Sequence, residues 1–159
     1  MAVEVEHKFL VVSDEWRAAV TSRTRIVQGY VARTGLTTVR VRVRDDRAYL
    51  TVKGPSRGTA RSEFEYEVPV ADAQLMLEEL AVGPVIDKVR NLVPVGEHTW
   101  EVDEFAGENA PLVLAEVELS HPGEAFERPG WAGEDVSDDP RYFNVNLARE
   151  PYSRWAPGD

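Results

Sequence analysis

"VEVEHKF", residues 3–9, alternates Glu4, Glu6 and Lys8 with Val3, Val5, His7 and Phe9. As a strand, this stretch sets three charges on one face and a mostly apolar set on the other. For one short strand a solvated outer face is sufficient explanation. The same pattern returns along the chain, however. "TVRVRVR" (38–44) aligns Arg40, Arg42 and Arg44 against Val39, Val41 and Val43, "YLTVKG" (49–54) joins Tyr49, Thr51 and Lys53, and "RSEFEYEV" (61–68) joins Arg61, Glu63, Glu65 and Glu67. Further on, "DKVRN" (87–91) pairs Lys88 with Arg90, "WEVDEF" (100–105) pairs Glu101 with Asp103, and "LAEVELS" (114–120) pairs Glu116 with Glu118.

Period-two alternation therefore dominates, and the chain reads as mainly β. Strands are expected at 3–11, 24–34, 37–44, 48–53, 61–68, 85–93, 98–105 and 112–119, parted by turn chemistry such as Thr34-Gly35, Asp45-Asp46, Pro94-Val95-Gly96 and Ala106-Gly107. Three short helices fit at 14–20 behind Ser13, at 71–80 with Leu75, Leu77 and Leu80, and at 140–148 with Pro140 at its first position behind Asp138 and Asp139. No linker divides the 159 residues, so one domain over 1–159 is expected, with 151–159 a loosely ordered tail.

Solvated strand faces carry Thr, Ser and Gln among mixed charges, whereas here whole strands are nearly pure cation or nearly pure anion. Eight antiparallel strands can close into a barrel that holds a small ligand, with the charged rows facing inward and the apolar alternates covered from outside by the helices. Crowded carboxylates raise one another's pKa, so each cluster needs a counterion. For Glu4, Glu6, Asp103, Glu116 and Glu118 a hard divalent cation such as Mg²⁺ or Mn²⁺ suits an all-oxygen donor set. For Lys8, Arg40, Arg42, Lys53, Lys88 and Arg90 the matching ligand is a polyanion, and guanidinium forks suit phosphate oxygens.

The net charge of −10 argues against non-specific binding to nucleic acid or anionic membrane. The absence of cysteine excludes disulfides and thiolate metal sites, and no apolar run reaches spanning length. With a charged start and no apolar leader, a cytoplasmic location is expected.

The E-x-E-x-K of Glu4, Glu6 and Lys8 resembles the signature of the CYTH proteins, also called triphosphate tunnel metalloenzymes. The resemblance continues through "QGYV" (28–31), the R-x-R of Arg40 and Arg42, "TVKG" ending at Gly54, "RSEFEYEVP" (61–69), and the K-x-R of Lys88 and Arg90. It ends with "EVDEF" (101–105), "AEVEL" (115–119) and "RYFNVNLA" (141–148), in the family's order over nearly the whole chain. His7, where relatives often carry Arg, lies on the alternate face and leaves the site assignment intact.

The resemblance implies an eight-stranded antiparallel tunnel that binds a small-molecule triphosphate and one or two divalent cations. By that analogy Glu4, Glu6, Glu116 and Glu118 hold one cation and Asp103 lies near a second, while Lys8, Arg40, Arg42, Lys88 and Arg90 line the phosphate chain's path, joined by Lys53 and Arg61. Lys53, Tyr30 and Lys88 are assigned catalytic roles: a phenol beside an ammonium serves as proton acceptor, the alternative for Tyr30 being an ordinary wall aromatic. Glu63 and Glu65 are expected to hold Arg61 or its neighbours in place, with Glu101 in a similar supporting role, unless they simply face solvent. Arg141 is expected to reach the tunnel mouth, or else to be a surface residue.

Hydrolysis of inorganic triphosphate leads, because a short chain without insertions has little surface for recognising a base. A class IV-type adenylyl cyclase, a thiamine triphosphatase and a non-catalytic polyphosphate-binding module are the alternatives. A monomer or a homodimer is compatible with each.

Overall fold

Each expected strand forms, and the strands close on themselves. The computed structural model describes residues 2–55 and 59–155, with the side chains of Ala2 and Glu4 outside the described set. The strands are β1 (Ala2–Val11), β2 (Ser22–Thr34), β3 (Thr37–Arg44), β4 (Arg47–Lys53), β5 (Ala60–Val68), β6 (Ile86–Val95), β7 (His98–Phe105), β8 (Val113–Leu119) and β9 (Ala132–Asp135). Two α-helices, α1 (Val70–Glu79) and α2 (Asn144–Arg149), follow β5 and β9. The sheet order is β5-β4-β3-β2-β6-β7-β8-β1, and β1 pairs with β5 to complete an eight-stranded antiparallel barrel.

β1 serves two partners along one edge. Its first residues, 2–5, pair with β5, and Phe9 and Val11 pair with the short β9. β9 was not foreseen, because four residues reading "AGED" carry no alternation that distinguishes a strand from a loop.

The apolar alternates point outward and are buried in two clusters on the barrel wall and a third at its end. Val5, Phe9, Trp100, Val102 and Val117 pack beneath Trp16 and Trp131, which arrive on the connections before β2 and β9. α1 lies over β2, β3 and β4 and buries Val41, Ala48 and Ala73. Gly29 makes that approach possible, since a Cβ there would meet Leu77 Cδ2 at 2.9 Å. The third cluster joins Tyr30, Ile86, Phe105 and Leu114 with Tyr142 and Leu147 of the C-terminal segment, which folds across one end of the barrel.

The C-terminal region differs from the single helix expected over 140–148. A 3₁₀ turn at Pro140–Tyr142, capped by Asp139 accepting from the Arg141 amide, is separated from α2 by Phe143 in an extended conformation. The first expected helix is likewise a 3₁₀ turn, Glu15–Ala19, whose N-cap is Asp14 rather than Ser13. Residues 152–154 form a further turn, and the Tyr152 and Trp155 rings pack together, so the tail is ordered that far; 156–159 lie outside the described residues. Among the described residues no helix is long and apolar enough to cross a membrane.

Candidate functional site

Because the apolar rows face out, the charged rows face in, around a cavity of about 270 Å³. Among the described residues eight cationic side chains and six carboxylates line it. In a chain of net charge −10, cations outnumber carboxylates among these described lining residues, which favours an anionic ligand beside them. Lys8 comes from β1, Arg40, Arg42 and Arg44 from β3, Lys53 from β4, Arg61 from β5, and Lys88 and Arg90 from β6. Glu6, Glu118, Glu116 and Glu101 come from the adjacent β1, β8 and β7, and Glu63 and Glu65 from β5.

Strand register sets the pairs. Lys8 stands opposite Glu116 and Glu6 opposite Glu118 on β1 and β8, while Glu101 faces Glu116 on β7 and β8. Lys8 Nζ lies 3.3 Å from Glu116 Oε1 and donates to the Tyr142 carbonyl at 3.1 Å. Burial acts to lower the Lys8 pKa, but Glu116 and Glu6 outweigh it and hold the ammonium above its ordinary value. Glu116 shows the reverse balance: burial pushes its carboxyl up, yet the charges of Lys8, Arg90 and Lys88 and a hydrogen bond with Glu6 hold it well below the usual range.

Next along the sheet, Arg90 and Lys88 of β6 share the Asp103 carboxylate of β7. Arg90 Nε and Nη2 donate to the two oxygens of Asp103, each at 2.8 Å, and Lys88 Nζ lies 2.7 Å from Asp103 Oδ2. Arg90 Nη1 also meets Glu101 Oε2 at 3.1 Å. Burial opposes ionisation of Asp103, but Arg90 and Lys88 prevail and bring it down to about 2. Lys88 is pulled the other way: burial, with Arg90 and Arg42 adding like charge, lowers it to about 7 despite its contact with Asp103. The close ion pair and the low pKa agree once Asp103 is seen as divided between two cations, with the bidentate guanidinium holding both oxygens. Burial also raises Glu101, against the pull of Arg90.

Arg42, pressed down to about 9 by burial and by Arg40 and Arg90, donates from Nε to Gln28 Oε1 at 2.7 Å. Arg40 Nη2 donates to Thr51 Oγ1 at 3.3 Å, and that hydroxyl donates to Glu65 at 3.1 Å. Tyr30 lines the cavity opposite Arg40.

The structure thus gathers Lys8, Tyr30, Arg40, Arg42, Lys53, Arg61, Lys88 and Arg90 with Glu6, Glu63, Glu65, Glu101, Glu116 and Glu118 around one cavity. The Glu4 side chain lies outside the described residues. Two expected residues stand elsewhere. Asp103 is inward-facing but buried behind Lys88 and Arg90, which contact both its oxygens, and it is not among the residues lining the cavity. The Arg141 guanidinium pairs with Asp139 at 2.8 Å and lies over the Trp155 ring at 5.0 Å, and Arg141 is not among the residues lining the cavity.

Glu65 lies 3.8 Å from Arg40 Nη2 and accepts from Thr51, and Glu63 faces Lys53 in the register. Sequence reading missed Gln28 and Asn144. Gln28 was legible, since it lies two residues before Tyr30 and so on the same strand face; Asn144 carries no comparable signal.

Among the described residues no three carboxylate or imidazole side chains already converge as a metal cluster. The donor set nevertheless fits a hard divalent cation. The Glu6 carboxyl lies within hydrogen-bond reach of Glu116, with Glu118 directly across from Glu6, and two carboxylates in such contact favour either a shared proton or a bound cation.

Comparison with known proteins agrees with this geometry. The CYTH domain profile matches residues 2–152. An inorganic triphosphatase of Acetivibrio thermocellus is 45% identical over 155 residues, covering 98% of this chain and 99% of its own. An inorganic triphosphatase of Nitrosomonas europaea is 36% identical over 152 residues, covering 91% and 96%. A solved inorganic triphosphatase structure superposes with a TM-score of 0.67 at 31% identity, over 98% of this chain and 100% of that one. A Hippeastrum protein shares the fold at a TM-score of 0.56 and 14% identity, over 74% and 80%. A profile match along nearly the full chain, joined to a closed barrel with an ionic interior, makes this chain a member of the CYTH family.

Proposed function

We propose that the chain is a divalent-metal-dependent hydrolase of inorganic triphosphate. The observation that carries the reading is the enclosed cavity in which cations from β1, β3, β4, β5 and β6 face carboxylates from β1, β7 and β8. Relatives 45% and 36% identical to it bear that activity in their names.

Phosphoryl transfer asks little covalent chemistry of a protein; positioning and charge neutralisation do the catalysis. Glu6, Glu116 and Glu118 would hold Mg²⁺ or Mn²⁺, with Glu4, two residues before Glu6, completing the set. Such a cation supplies Lewis-acid polarisation and neutralises phosphate charge. Arg40, Arg42, Lys88 and Arg90 bind the non-bridging oxygens and are held ready by neutral or acidic partners, so little reorganisation is needed as charge develops. Lys8, across from Glu116 on β1 and β8, would contact one phosphate, and Lys53 and Arg61 would contact others. Asp103 orients Arg90 and Lys88 from behind. Tyr30 lines the same cavity among these cations.

A panel of inorganic triphosphate, ATP and thiamine triphosphate, each with Mg²⁺, Mn²⁺ and Ca²⁺, tests the reading. Orthophosphate release fastest from inorganic triphosphate supports it. Cyclic AMP with pyrophosphate from ATP, or binding of all three without turnover, contradicts it.

A further inference from the structure

Gln28 is fully buried among charged groups, and Asn144 lines the cavity from the first residue of α2. In the triphosphatase reading they only hold Arg42 and Lys88, with no contact to substrate, and the further role assigned to them rests on that reading. Together they form a chain of hydrogen bonds. Arg42 Nε donates to Gln28 Oε1 at 2.7 Å, Gln28 Nε2 donates to Asn144 Oδ1 at 3.2 Å, and Lys88 Nζ donates to the same Oδ1 at 3.0 Å. Arg42 and Lys88 stand at the two ends, and neither has an acceptor atom.

Their obligate donors fix both amides. Gln28 must turn its oxygen to Arg42, which leaves its nitrogen for Asn144; Asn144 must turn its oxygen to Gln28 and Lys88, which leaves Nδ2. That nitrogen finds no acceptor among the described residues and is not one of the side-chain atoms buried without a partner, so it faces the open space that Asn144 lines. A carboxamide held with its nitrogen toward a cavity of guanidinium and ammonium groups suits an anionic oxygen.

We propose that Asn144 is a substrate-binding residue that donates from Nδ2 to a phosphate oxygen, and that Gln28 is a positioning residue that holds this orientation while aligning Arg42. The device links the C-terminal segment, which crosses the barrel end, to β3 and β6, two of the cation-bearing strands. A neutral donor adds specificity without more positive charge in a cavity that already lowers Lys88 and Arg42. The long reach from residue 28 to 144 makes α2 part of the binding surface rather than a cover over it.

Calorimetric binding of inorganic triphosphate in chelator-treated, metal-free buffer tests the proposal, with thermal melting to check the fold. Asn144→Asp keeps an acceptor for Lys88 and removes the donor; Asn144→Ala removes both. Each is expected to raise the dissociation constant roughly ten- to hundredfold, the range for a hydrogen bond to a charged group. Gln28→Ala removes the link to Asn144 and the acceptor for Arg42 without adding charge, so combined with Asn144→Ala its effect should be less than additive. Wild-type affinity in both Asn144 variants overturns the donor, and strict additivity overturns the role of Gln28. Because binding is read without turnover, these results stand apart from the wild type's orthophosphate release, which decides the functional reading itself.

Discussion

Arg90 holds Asp103 through two hydrogen bonds of 2.8 Å, Nε to Oδ1 and Nη2 to Oδ2, with the carboxylate almost wholly out of solvent. This pair orders the cationic wall. It also supplies the counter-charge for Lys88, 2.7 Å away.

Asp103→Asn is therefore expected to strand two buried cations. Breaking a buried pair from one side costs about 3–5 kcal/mol, so the ligand-free protein should unfold at markedly lower denaturant. Added triphosphate should recover part of that loss, because it brings replacement negative charge. The metal concentration for half-maximal activity should stay unchanged. A large rise in that concentration with normal stability would instead make Asp103 a metal ligand.

Lys88 gives the pH dependence. Its pKa falls from the ordinary 10.5 to about 7 on folding. Between those values the unfolded chain binds more protons, so the cost of burying the charge is full below about pH 7 and is relieved as pH rises. A bound polyanion favours the ammonium, so triphosphate binding near pH 8 should take up a proton. Calorimetry in two buffers of different ionisation enthalpy measures the uptake, and Lys88→Met should abolish this part of it. Equal uptake in the variant contradicts the assignment.

Arg141 supplies a contrast. Its pairing with Asp139 is exposed, outside the cavity, and worth about 0–1 kcal/mol. Arg141→Ala should leave kcat/KM for triphosphate within about twofold, whereas Lys88→Ala should lower it on the order of 10²- to 10³-fold, as for other preorganised donors. Steady-state orthophosphate release compares them directly.

The barrel was legible because each long strand carries one apolar and one ionic row, and a period of two admits only one reading of which residues share a face. Closure was legible from the segregation of charge, since crowded like charges need a common enclosed ligand. Depth was not. Alternation placed Asp103 on the inner face, but only the register with Arg90 and the reach of Lys88 show that it sits behind the cations. Contacts made by the C-terminal segment were equally hidden: the Tyr142 carbonyl on Lys8 and Asn144 on Lys88 arise where residues far apart in sequence meet at the barrel end. The placement of Arg141 was hidden for the same reason, since its partner Asp139 belongs to a turn that breaks the expected helix at Phe143. β9, paired with β1 only at Phe9 and Val11, is too short to carry a period.

Orthophosphate release from inorganic triphosphate, followed as Mg²⁺ or Mn²⁺ is returned to chelator-treated protein, tests most directly whether the two ionic walls work as one site. Turnover should be absent without metal, appear with saturable dependence on either cation, and fall on the order of 10²- to 10³-fold in Glu116→Gln, whose carboxylate lies between Glu6 and Lys8. Turnover that persists in chelator, or that Glu116→Gln leaves at the wild-type rate, would contradict it.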